Sequence, residues 1–177
     1  MSGYKLDNRD DVPDMPFVYL DIVDTLETLT DKHIATIEYV NENYKNQFDW
    51  FLYANDDTYI AMENLKLFLA NKCPNEKKLY GKVMIYAPLE KTIYTSGDNT
   101  KGFIQGGSGW LASHEAIRLF AEAQKKDPLK FCKWDHGRNG LIEDQEISDC
   151  YRKVNVYPGE SRDEENRERF LMNSFAE

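Results

Sequence analysis

Two apolar periods alternate along this chain, and that alternation restricts its fold more than any other feature. "FDWFLYA" (48–54) is a short, aromatic-rich apolar run that suits a buried strand. "TYIAMENLKLFLANK" follows it directly, with Met62, Leu65, Phe68 and Leu69 on one helical face. "KLYGKVMIYA" is strand-like again, and "IQGGSGWLAS" reads as a strand with glycines at its start. "SHEAIRLFAEAQKK" predicts a helix capped by Ser113 and closed by Lys125 and Lys126, and "LIEDQEISDCYRKV" a helix opened by acids near its positive end. Upstream, Leu26, Leu29, Ile34, Ile37, Val40 and Tyr44 keep helical spacing. They predict an amphipathic helix over about 25–45, with Thr30 and Asp31 as caps of its main part. Strands alternating with helices predict an α/β fold with a mostly parallel sheet flanked by helices.

A chain of 177 residues suits one domain with a real core, and no interior linker or repeat divides it. Residues 1–23 read as an N-terminal arm, rich in Asp and broken by Pro13 and Pro16, in which "FVYLDIV" is either a short strand or an extended lead-in. Residues 86–103 read as a loop or irregular hairpin, "DPLKFCKWDHGRNG" as a loop, and "NVYPGESRDEENRERF" as a strand followed by a charged tail. The net charge of -9, without any basic stripe, excludes a nucleic-acid backbone as the expected partner. It suits a divalent cation, although an acidic surface explains the same balance. No apolar run reaches the roughly 18 residues of a membrane span, and the polar N-terminus is not a signal peptide. Cys73, Cys132 and Cys150 fit no zinc spacing; a Cys132–Cys150 bridge and free buried thiols both remain open on spacing alone.

Three stretches hold side chains suited to chemistry. In "NDDTY" (55–59) a strand ends in paired carboxylates, Asp56 and Asp57. Open α/β sheets bind ligands at that edge, and hard oxygen ligands suit Mg²⁺ or Mn²⁺. A strand-to-helix turn in which Asp57 or Thr58 caps the next helix accounts equally for the pair, and on spacing alone it is the better reading. In "GGSGW" (106–110) glycines admit close backbone approach to a sugar or phosphate, or simply bend the chain, and Trp110 is either a sugar platform or core. In "IEDQEISD" (142–149) Glu143, Asp144 and Glu146 open a helix, where a carboxylate can serve as general base or merely complement the helix dipole. His33, His114 and His136 lie far apart and are given no nucleophilic role.

The three stretches occur in a telling order. "DWFLYANDDTYIAMENLKLFL", "GGSGWLASHEAIRLF" and "IEDQEISDCYRKVNVYPGESRDEENRERF" together resemble the core 1 β1,3-galactosyltransferases, relatives of Fringe in glycosyltransferase family 31, from about Asp24 to Phe175. The resemblance implies a GT-A-like fold, partial over 24–177. The family's first strand and helix have no counterpart before residue 17, and the membrane anchor is expected upstream of this chain. It implies a type II Golgi enzyme that uses Mn²⁺ and transfers galactose with inversion from UDP-galactose. The acceptor it implies is the 3-hydroxyl of O-linked N-acetylgalactosamine on a glycoprotein, and pairing into a homodimer is left open.

Position by position, Asn55, Asp56 and Asp57 match the family's three-Asp metal motif, with Asp57 the metal ligand and Asp56 beside it. Asp144 matches the base, with Glu143 its neighbour and competitor. Gly106, Gly107 and Trp110 match the segment lining the donor and acceptor cleft. Cys132 and Cys150 match a cysteine pair, which implies their disulfide and an oxidising lumen. Asn55 stands where the family has its first Asp, and Leu171 where a His usually completes the metal site. These departures define the alternative expectation: a catalytically inactive relative with a chaperone-like, protein-binding role.

Overall fold

A computed structural model describes residues 18–85, 102–132 and 142–172. Residues 1–17, residues 133–141 with His136, and residues 86–101 of the loop or irregular hairpin expected over 86–103 lie outside the described residues, and Gly102 and Phe103 fall in a strand. Helix α1 (Leu29–Tyr44) is followed by β1 (Trp50–Tyr53), α2 (Met62–Leu69), β2 (Lys78–Gly81), β3 (Val83–Ile85) and β4 (Gly102–Ile104). Then come β5 (Trp110–Ser113), α3 (His114–Lys126), α4 (Glu143–Lys153) and β6 (Tyr157–Pro158). Among the described residues no helix is long and apolar enough to cross a membrane.

The main sheet has the order β1-β5-β2-β6, and β3 pairs with β4 in a separate ribbon. The expected mostly parallel sheet is corrected to a mixed one. Strands β1 and β2 run the same way across the α2 crossover, as the alternating sequence implies, and β6 is parallel to β2. Strand β5 inserts between β1 and β2 and runs against both. A short strand entering from a glycine turn carries no sequence mark of which neighbours it will separate.

Alternating side chains sort onto two faces of this sheet. Leu79, Trp110 and Ala112 face α1, α3 and α4, packing with Ile34, Ile37, Ile117, Phe120, Ile147 and Tyr151. Tyr80 and Leu111 face the other way and pack with Phe170 and with Leu65, Phe68 and Leu69 of α2. The result is a helix-sheet-helix sandwich. Phe120 and Tyr151 are wholly buried with ring centroids 4.7 Å apart, and burial of such a ring stabilises by about 1.5–3 kcal/mol.

Caps fall both where the sequence marks them and where it does not. Ser113 Oγ accepts the Ala116 N–H at 3.1 Å, as its position at the start of α3 predicts. Thr30 does not cap α1. It lies inside the helix, buried, and its hydroxyl donates to Glu146 at 2.9 Å. Neither Asp57 nor Thr58 caps α2, whose N-cap is Ala61; a turn closed by Thr58 N–H to Asn55 carbonyl and an extended stretch intervene. The stretch over 18–23 forms no strand, so "FVYLDIV" is the extended lead-in. The expected charged tail folds back along β2: the Gly159 N–H donates to the Leu79 carbonyl at 2.7 Å and Ser161 Oγ to the Gly81 carbonyl at 2.7 Å. Phe170 then seals the α2 face.

Cys132 and Cys150 form a disulfide with Cα atoms 5.3 Å apart, joining the end of the α3 connection to α4. Cys73 is a free, exposed thiol.

Candidate active site

The carboxyl ends of β1 and β2 and the glycine turn before β5 share one edge of the sheet. Register sets its first layer. Tyr53 closes β1 directly opposite Trp110 of β5, so both rings project to the same face. They stack with centroids 5.4 Å apart, and His33 from α1 stacks on Tyr53 at 4.4 Å. Trp110 is 5 % exposed, with Tyr151 edge-on to it at 6.0 Å. Of the two roles open to Trp110, its ring takes the core one, beneath the edge, because the face it turns from β5 is the one that three helices cover.

Helix α4 brings the acids to this layer. Glu143 and Asp144 occupy its first turn, where backbone N–H groups and the helix dipole favour negative charge. Glu143 Oε1 meets His33 Nδ1, a contact in which both side chains are largely buried. Asp144 Oδ2 accepts the Gly106 backbone N–H at 3.3 Å, and Oδ1 accepts the Gln145 N–H at 2.8 Å. Burial lifts the Asp144 carboxyl above the ordinary carboxylate range; the Gly106 N–H works against that lift and the charge of Glu143 adds to it. Tyr53 is pushed up to about 12, by burial first and then by Glu143 and Asp144. The two acids are thus in unequal settings: Glu143 is engaged by a histidine, whereas Asp144 is held by backbone donors and made more basic.

Gly106, Gly107 and Ser108 form a single 3-10 turn ending at Gly109. Gly109 has φ 69° and ψ 159°, a region essentially confined to glycine, and a Cβ there would meet the Tyr53 carbonyl oxygen at 3.3 Å. The turn is a shared wall. On one side Gly106 touches Asp144; on the other, Gly107 and Gly109 line a cleft of about 640 Å³ together with Asp57, Phe68, Arg169 and Leu171. Asp57 and Gly107 therefore line one cleft, while Gly106, the residue before Gly107, contacts Asp144, which lies outside that lining.

Asn55, Asp56 and Asp57 are exposed at the turn after β1. Among the described residues no three His, Cys, Asp or Glu side chains gather to hold a metal ion. Leu171 lines the cleft with Asp57 and offers no donor atom. The described residues do not fit a metal centre built by protein side chains alone.

Sequence reasoning missed His33 and Tyr53. Both fall within elements whose apolar pattern it read correctly, and a His on the buried face of α1 beside Ile34 and Ile37 is the one signal that marks a partner to a buried acid.

These features define a mixed α/β domain with paired acids at one edge of its sheet. Residues 22–148 match the Fringe-like family model, and the chain belongs to the Fringe-like family, which bears out the resemblance to Fringe-related transferases of glycosyltransferase family 31. It is 31 % identical over 157 residues to glycoprotein-N-acetylgalactosamine 3-beta-galactosyltransferase 1 of Xenopus laevis, a match covering 89 % of this chain and 39 % of that protein. It is 29 % identical over 108 residues to chondroitin sulfate synthase 3 of Homo sapiens, covering 60 % of this chain and 12 % of that protein. The mouse chondroitin sulfate synthase 3 matches to the same extent. The chain thus spans well under half the length of these relatives.

Proposed function

We propose that this chain is the partial catalytic domain of an inverting β1,3-galactosyltransferase of the Golgi lumen. It moves galactose from UDP-galactose to the 3-hydroxyl of O-linked N-acetylgalactosamine on a glycoprotein. The observation that carries the reading is the shared glycine turn, with Asp144 behind it and Asp57 in the cleft before it. Asp144 takes the proton of the acceptor hydroxyl as that oxygen attacks the anomeric carbon; the bond from that carbon to the diphosphate oxygen breaks, and UDP leaves with the electron pair. The raised carboxyl of Asp144 suits a base, and its contact with Gly106 ties it to the cleft wall. Glu143, engaged by His33, orients the helix turn that carries Asp144. Asp57, with Asp56 and Asn55 beside it, is the residue that would contact Mn²⁺, and the ion would offset the charge of the departing diphosphate.

A second reading has one specific observation in its favour. Leu171 lines the same cleft as Asp57, at the position where the family resemblance expects a His, so a non-catalytic, protein-binding member of the family is the alternative. Radiolabelled transfer from UDP-galactose to an O-GalNAc peptide, with and without Mn²⁺, separates the two. The first reading expects weak Mn²⁺-stimulated transfer that Asp144→Asn abolishes. Binding of the glycopeptide without any transfer overturns it and supports the second.

A further inference from the structure

Beside Asp144 lies a second, smaller cavity that the proposed reaction does not use. Tyr151 of α4 is wholly buried, and its hydroxyl has no hydrogen-bond partner among the described residues. A buried hydroxyl without a partner is costly, so one is expected. Tyr151 lines a small cavity of about 10 Å³, at the lower bound of the room one water needs, and Asp144, Ser148, His33 and Trp110 line it too. Three of these residues, Asp144, Ser148 and Tyr151, follow one another at four- and three-residue spacing and so share one face of α4. The Ser148 hydroxyl oxygen accepts the Ile104 N–H at 3.1 Å, which leaves its own hydrogen free to donate inward. The Asp144 oxygens each accept one backbone N–H and keep lone pairs in reserve, since a carboxylate takes about four bonds.

We propose that this cavity holds one buried water that donates to the Asp144 carboxylate and bonds the Tyr151 hydroxyl, making Tyr151 a positioning residue for Asp144. The inference rests on the reading of Asp144 as the base. The physical consequence is a chain of bonds from the base through the water to a hydroxyl two turns further along the same helix. A donor to the carboxylate favours its charged form and restrains the pKa that burial raises. The other groups that face Asp144 are Glu143 on its own helix, His33 from α1 and Tyr53 from β1; Glu146 is turned to Thr30.

The test is carboxyl-carbon NMR titration of Asp144 in the native chain and in Tyr151→Phe, which keeps the ring and removes the hydroxyl. The expected result is an upward move of the Asp144 titration of about one pH unit, a tenfold gain in proton affinity. The acid limb of kcat moves with it, and KM is unchanged. An unmoved titration overturns the proposal. A crystal structure of the native chain decides independently of any variant: a water bonded to both Tyr151 Oη and Asp144 supports the proposal, and a dry cavity overturns it. If the chain transfers no sugar, the base reading fails, while the titration and the cavity still decide the water.

Discussion

The Gly106 backbone N–H donates to Asp144 Oδ2 at 3.3 Å, so the glycine turn before β5 and the first turn of α4 act as one unit. A carboxylate anchored on backbone keeps its direction when neighbouring side chains move. Gly107, Ser108 and Gly109 of the same turn line the cleft that Asp57 also lines. Acid and cleft are therefore positioned by the sheet edge itself, not by a flexible side-chain relay.

Asp144→Asn is expected to reduce transfer by about 10²–10⁴-fold, the range for losing a general base, and to raise thermal stability at pH 7. The sign follows from the raised carboxyl. The folded chain holds the Asp144 proton to higher pH than the unfolded chain does, so stability is lost as pH rises from the ordinary Asp value through the folded one. Asn carries no charge and escapes that loss. Scanning calorimetry should find Asp144→Asn more stable at pH 7, with the gain vanishing below about pH 3.9, the ordinary Asp value. Equal stability at both pH values would show that burial does not strain this group.

His33→Ala should destabilise the fold by about 2–4 kcal/mol in denaturant titration. It leaves the Glu143 carboxylate buried without its partner and strips a ring from the stack on Tyr53. Combined with Glu143→Gln, the loss should be less than the sum of the two single losses, because the pair fails as a unit.

Gly109→Ala is expected to cost about 1–3 kcal/mol, because its φ of 69° with ψ of 159° excludes a side chain. Equilibrium unfolding checks this. Gly107→Ala, at a position without that backbone constraint, serves as the control.

Replacing Cys132 and Cys150 together by Ala should cost about 3 kcal/mol, the value for a closed loop of comparable length. In the native protein a thiol reagent should modify Cys73 alone, since it is free and exposed. Modification of three thiols without a reductant would refute the bridge.

Leu171→His should raise the affinity for UDP in the presence of Mn²⁺ and leave affinity without metal unchanged, as measured by calorimetry. It adds a nitrogen donor to the cleft that Asp57 lines. Asp57→Ala should abolish that gain.

Much of this is legible in the sequence. The helix periods of α1, α3 and α4 and the cap at Ser113 are local events, governed by spacing and by one hydroxyl. The acids at the start of α4 and the paired Asp after β1 were visible as candidates for the same reason. The direction of β5 was not, because insertion between two strands depends on which neighbours remain unpaired. Nor was the burial of Trp110, because the face a strand residue presents is settled by register. The capping role expected of Asp57 or Thr58 failed over a short extended stretch that composition does not reveal.

By itself the sequence determined the α/β alternation, the amphipathic faces, the family and the set of candidate acids, since each depends on residues close together in the chain. Tertiary structure alone decided which acid is engaged and which is held by backbone, since His33, Gly106 and Asp144 belong to three separate elements. A carboxylate's proton affinity is set by burial and by donors brought from far along the chain, and packing of α1 and the glycine turn against α4 is what supplies both.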